Sequence, residues 1–246
     1  MEMRTHVLSV AGTVRGSLSL LMCGVLWGLA GCQTSPPPVP GPQPATETAP
    51  TPSPIPAGAR EYKVVAQESL LQILVYRGGA MAKLGHNHVI ASHHLGGSVF
   101  VAKDPLATSF DIRFPVNELT VDEPEQRATA GPDFPGAVPQ NARDGTRVNL
   151  LSTALLDGAN YPEIRLRATG FKAAGDGYEA SIEVTLKGQA HVLHVPVIVM
   201  RDEATLTARG EFPLKQSELG LKPFSVAMGT LVVLDDMRVK FTLVAR

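Results

Sequence analysis

Four histidines fall in one short run, Gly85-His86-Asn87-His88-Val89-Ile90-Ala91-Ser92-His93-His94. Side chains at i and i+2 of an extended strand share a face. His86 and His88 could therefore present two imidazoles to one Zn²⁺ or Cu²⁺ ion. His93 or His94 could supply a third ligand if the chain folds back. The alternative is polar decoration at the mouth of the fold, or hydrogen-bonded support for a neighbouring group. A second pair, His191 and His194, is spaced i and i+3, which on a strand points the rings to opposite faces. At most one of them could join the first pair. No acid–base–nucleophile grouping is legible, so these residues argue for binding, not for an enzyme.

The other reactive residue is Cys32, which closes Leu29-Ala30-Gly31-Cys32. Arg4 and Arg15 precede an uncharged apolar run over residues 18–29, too short for a spanning helix of about 20 residues. Small residues followed by Cys, just after such a run, resemble the processing site of bacterial lipoproteins. The resemblance implies removal of residues 1–31, diacylglycerol on the Cys32 thiol, and a membrane tether. An ordinary cleaved secretory leader is the alternative. Gln33, where inner-membrane retention would place Asp, implies the outer membrane of the cell envelope, facing the periplasm.

Loss of residues 1–31 removes Glu2, Arg4 and Arg15 and leaves a net charge near −2. Neither sign dominates, and there is no basic stripe of the kind nucleic acid requires. Of the two cysteines, Cys23 leaves with the leader and Cys32 takes the lipid. The exported domain is then held by its core alone, without disulfides. Residues 32–59 form the tether. Ten prolines between Pro36 and Pro56 favour extended polyproline II, which at about 3.1 Å per residue reaches about 80 Å.

From residue 60 to 246 the pattern has period two, the signature of strands with one buried face. Strands are predicted over residues 70–76, 98–102, 108–115, 163–171, 178–186, 191–200, 206–214, 229–234 and 237–245, with Lys187-Gly188-Gln189 a tight turn. Residues 120–146 carry no convincing strand and read as a long loop. Residues 147–156 read as a short helix with Val148, Leu151, Leu155 and Leu156 apolar, ended by Asp157-Gly158. About eight alternating strands with one or two short helices predict an all-β antiparallel barrel or sandwich. Strand parity groups Phe110, Ile112 and Phe114, then Ile182 and Val184, then Phe241 and Leu243 on inward faces. They either line a cavity or simply pack the core.

Several segments, in order, resemble the YceI-like family. They are Gly97-Ser98-Val99, Leu156-Asp157-Gly158-Ala159-Asn160-Tyr161-Pro162-Glu163-Ile164, and Val184-Thr185-Leu186-Lys187-Gly188 with His194-Val195-Pro196-Val197. The last is Gln216-Ser217-Glu218-Leu219-Gly220-Leu221. The resemblance implies a lipocalin-like extended antiparallel β-barrel with an apolar tunnel for a long amphiphile such as a polyisoprenoid or quinone. The seven parity residues are then the candidates to line it. Gln216 and Leu219 stand where the family usually has Arg and Phe, which removes any contact the Arg would make to a head group. Oligomeric state is open.

Overall fold

The computed structural model describes residues 55–246; the expected leader, Cys32 and the expected tether up to residue 54 lie outside the described residues. The described residues build one antiparallel sheet of twelve strands. These are β1 (Arg60–Lys63), β2 (Leu70–Gly78), β3 (His88–Ser92), β4 (Gly96–Val101), β5 (Ser109–Pro115) and β6 (Thr120–Val121). After two helices, α1 (Pro124–Ala130) and α2 (Gln140–Leu151), follow β7 (Glu163–Ala174), β8 (Gly177–Leu186) and β9 (Gln189–Arg201). The chain ends with β10 (Leu206–Lys215), β11 (Ser225–Val226) and β12 (Leu231–Ala245).

The order β1-β4-β5-β7-β8-β9-β10-β12-β2-β3-β6 hides a closure. Just past β1, Val64 bridges Ala245 at the end of β12, and Val65 N–H donates to Val244 O at 2.8 Å. The ring β1-β4-β5-β7-β8-β9-β10-β12 is therefore an eight-stranded barrel. β2, β3 and β6 extend the wall along the first part of β12. The Lys187-Gly188 turn between β8 and β9 has positive φ at both residues (50° and 70°), the two-residue geometry that matches strand twist.

Alternation places Phe110, Ile112 and Phe114 of β5 inward, opposite Leu166 and Ile164 of β7. Residues 73–76 of β2 read as an apolar run because the strand is covered on both faces there. Leu71, Ile73 and Val75 face the barrel interior, while Leu74 packs outside with Val89, Ala130 and Phe134, and Tyr76 lies against them. That outer layer comes from the stretch expected to be a loop.

Three local expectations are corrected. Residues 120–146 hold β6, α1 and the first half of α2. Pro124 at the first position of α1 starts a helix whose inner side chain is a charged Arg127, so no apolar stripe marks it. The second helix starts at Gln140, not 147, and ends at Leu151. Its cavity face is Thr146, Asn149 and Leu150, while Val148 is 69 % exposed. Finally, residues 229–234 and 237–245 are one strand, β12, whose register shifts between Val233 and Met237.

Gly210 marks a close approach. A Cβ there would lie 2.4 Å from Phe241 Cε1 and 2.5 Å from Pro196 O, and the carbonyl cannot rotate away. Gly210→Ala is expected to lower stability by about 2 kcal/mol through overpacking. A urea midpoint equal to the parent's would contradict that reading.

Candidate functional site

A cavity of about 710 Å³ runs inside the barrel, within the range typical of small-molecule sites. Phe110, Ile112, Phe114, Ile182, Val184, Phe241 and Leu243 all stand on its wall. Sequence parity could not separate lining from packing, and the structure shows both. Ile112, Phe114, Val184 and Leu243 are also buried in the core, whereas Phe110, Ile182 and Phe241 are only partly buried. The wall extends along β12 from Leu231 to Leu243, about 40 Å of strand.

Polar groups gather at the two ends. Near the β9–β10 end stand Lys103, Tyr178 and Arg201. At the opposite end stand Arg77, His86, His88, Thr146 and Gln216. Sequence reasoning missed Thr146 because the expected helix began at 147, about two turns after α2 does, and missed Asn149 because only the apolar positions of that helix were read as its inner face.

The His88 end is built on a buried ion pair. Asp122 follows β6 in a left-handed conformation (φ 55°), which Asp tolerates better than most residues. Its N–H donates to Val89 O at 2.8 Å, and its Oδ1 accepts the Val89 N–H at 2.9 Å. The same Oδ1 accepts from Arg127 Nη1 at 2.6 Å, with the carboxylate side chain fully buried and Arg127 only 6 % exposed. Arg127 also donates to the carbonyls of Asn87, Pro135 and Gly136. Burial pushes the Asp122 carboxyl up, but hydrogen bonds from His88, Val89 N–H and Arg127 outweigh it. The group is held below the ordinary aspartate range.

His88 Nδ1 lies 2.6 Å from Asp122 Oδ2. A carboxylate can only accept, so that contact fixes the proton on Nδ1. Nε2 lies 3.2 Å from the Thr146 hydroxyl oxygen. Both nitrogens of His88 are thereby engaged. His86 precedes β3, and its ring centroid is 6.0 Å from that of His88. Desolvation, then the proximity of His88 and Arg77, hold its pKa below the usual histidine value. It is a neutral imidazole on the cavity wall.

The other histidines are elsewhere. His93 Nε2 meets Glu123 at 2.7 Å, His94 lies 4.0 Å from Glu118, and His194 Nδ1 is 3.2 Å from Ser181 Oγ. His191 packs beneath Gly220. Among the described residues no group of three or more His, Cys, Asp or Glu side chains is arranged to hold a metal ion. The third ligand that His86 and His88 would need from His93 or His94 is not brought to them. Gln216 is buried and donates its amide to Leu234 O at 2.7 Å, so it closes the wall and leaves little for a ligand.

A family model of the YceI-like domain matches residues 62–245, nearly the whole described chain. The protein belongs to the YceI-like family. Among solved structures, Burkholderia cenocepacia BcnA aligns with a TM-score of 0.54 at 19 % identity, over 74 % of this chain and 99 % of its own. A polyisoprenoid binding domain from Saccharophagus degradans, implicated in plant cell wall breakdown, aligns at 0.47 and 14 % identity over 75 % and 97 % of the two chains. The Campylobacter jejuni YCEI protein aligns at 0.38 and 8 % identity over 60 % and 80 %. No curated protein matches this chain. The BcnA match shows a shared fold, and there the barrel alone makes up almost the entire chain. The YceI-like barrel here likewise contains its own core, from Tyr62 to Ala245. No helix among the described residues is long and apolar enough to cross a membrane.

Proposed function

We propose that this YceI-like protein is a lipoprotein of the cell envelope, tethered through Cys32 on the periplasmic face of the outer membrane, that binds or carries a long amphiphile such as a polyisoprenoid or quinone. The observation that carries the reading is the 710 Å³ cavity, whose wall is apolar along the barrel and polar at its ends. Each buried CH₂ contributes about 0.8 kcal/mol, so a prenyl chain needs no charged contact to be held. The head group belongs at His86 and Thr146. His86 makes no hydrogen bond to a described residue, and the Thr146 hydroxyl, held 3.2 Å from His88 Nε2, faces the same cavity. Together they suit a neutral carbonyl or hydroxyl head.

The test is native mass spectrometry of residues 55–246 expressed in the periplasm, with solvent extraction and elemental analysis. A stoichiometric prenyl or acyl species is expected. A protein without any apolar ligand, and unable to take up a long-chain quinone, would overturn the reading. The tether is tested separately in full-length protein, where Cys32→Ser is expected to lose its membrane-fraction location.

The head-group contact has its own readout. His86→Ala is expected to weaken binding of a long-chain quinone about fivefold to tenfold, the worth of one hydrogen bond of about 1 kcal/mol. It should leave a headless hydrocarbon such as squalene unaffected. Because His86 titrates below its ordinary value near 6.5, wild-type affinity is expected to be flat from pH 7 to 8.5. Equal losses for quinone and squalene would assign His86 to structure alone.

A further inference from the structure

At the His86 end of the cavity, two loops face outward side by side: residues 79–86, between β2 and β3, and residues 222–230, which lead into β12. They are joined by a backbone hydrogen bond from Met81 N–H to Thr230 O at 2.8 Å. They also touch at Gly79, where a Cβ would lie 2.5 Å from Thr230 O; with φ at 88°, only glycine fits. Gly85 lies against the Leu231 side chain, whose Cδ1 would be 3.0 Å from a Cβ at that position. The pair is a fixed platform.

Its outer surface is unusually apolar. Leu84 is 69 % exposed, Met228 is fully exposed, and Met81, Val226 and the adjoining Leu234 are exposed as well. Met228 is held outward by a left-handed backbone (φ 54°), a conformation that costs a non-glycine residue energy and gains it no burial. Exposed large side chains clustered at one rim mark an interaction surface more than scattered ones do.

The charge pattern selects the partner. The only charged side chains in the two loops are Lys83 and Lys222, both exposed, with no Asp or Glu in either. The acidic residues nearest the second loop in sequence are Glu218, Asp235 and Asp236, which accept from Lys215 N–H, from Ser217 and from Lys215 Nζ; exposed Asp133 lies beside the first loop, where its carbonyl accepts from Asn87. Apolar tips with one lysine in each loop suit the surface of a bilayer that contains anionic lipid. The platform also borders the cavity, since Gly85, His86, Phe224 and Leu231 line it.

We infer that Met81, Leu84, Val226 and Met228 form a membrane-docking rim that seats the His86 mouth of the barrel on an anionic bilayer surface. Docking there opens the mouth onto lipid, so a long-chain ligand can pass between barrel and bilayer without crossing water. That use of the rim rests on the carrier reading; docking itself does not. The tether does not forbid the orientation. β1 begins near the opposite mouth, but the reach of about 80 Å expected from the Pro-rich sequence of residues 32–59 is twice the strand length of about 40 Å.

The experiment is vesicle co-sedimentation of residues 55–246 with phosphatidylcholine alone and with 30 mol % phosphatidylglycerol added. Leu84→Asp/Met228→Asp is compared with Val192→Asp/Ile198→Asp, which places the same charges on exposed apolar positions of β9. Wild type and the β9 variant are expected to bind the anionic vesicles alike and the neutral ones more weakly. The rim variant should lose about tenfold or more. Extracted ligand is measured in every sample. Absence of wild-type binding to any vesicle, or equal losses in both variants, overturns the inference. So does a wild-type dimer that the rim variant dissolves, which would assign the surface to a second copy. Ligand retained without vesicle binding leaves the carrier reading standing and removes docking alone; vesicle binding without any ligand does the reverse.

Discussion

Asp122→Ala is expected to lower stability by about 3–5 kcal/mol, the usual cost of removing one partner from a buried ion pair. Arg127 would keep its carbonyl acceptors but lose the carboxylate it pairs with while 6 % exposed. The Val89 N–H and His88 Nδ1 would lose their acceptor at the same time. The urea midpoint should fall with an unchanged slope, and Arg127→Leu added to Asp122→Ala should recover part of the loss, because no charge is then stranded. A double variant less stable than Asp122→Ala would refute the stranded-charge argument. The pH dependence has a defined sign. The Asp122 carboxyl titrates lower in the folded chain than in the unfolded one, so its contribution is complete above the ordinary aspartate value near 3.9. It is lost as pH falls from there through the folded value. Wild type should therefore lose more stability than the double variant between pH 5 and acid.

The consequence reaches the cavity. Asp122 holds the His88 ring through Nδ1, and His88 Nε2 in turn positions the Thr146 hydroxyl. Without Asp122 the polar end has no set orientation, so Asp122→Ala that remains folded should bind a quinone no better than His86→Ala does.

The barrel was legible because its strands alternate. β5, β8 and the last part of β12 each show one apolar face, and their parity named seven side chains that stand on the cavity wall. Where alternation fails, so did the reading. β6 has two residues, and α1 turns an arginine inward, so neither carries a periodic apolar signal. Helix α2 has Gly145 and Thr146 in its middle and an exposed Val148, which drew the expected helix toward the leucines that follow. The histidine pair was visible as a chemical feature, but its role depends on Asp122 and Thr146. These lie 34 and 58 residues from His88, and only the fold brings them together. The docking rim is the converse case: its apolar residues stand out only once β2–β3 and β11–β12 bring the two loops into contact.

Ala208→Trp is expected to reduce affinity for a long prenyl chain about a hundredfold while leaving the barrel folded. Ala208 faces the cavity between Val199 of β9 and Leu243 of β12, near the end remote from His86. An indole there projects across the bore into space that is now open. A chain whose head is fixed at His86 could no longer extend past that level. Excluding one five-carbon unit forfeits about 4 kcal/mol if fully buried, and about 3 kcal/mol with partial burial, which corresponds to about a hundredfold. The loss should depend on chain length: a ligand too short to reach Ala208 binds as before, and Ala208→Ser binds as wild type does. Equal affinity of wild type and Ala208→Trp for the longest chain would mean that the ligand does not lie along the barrel axis. A loss that is the same for short and long chains would mean that the indole collapses the whole cavity. Only the length-dependent result fits a chain threaded from His86 toward Arg201.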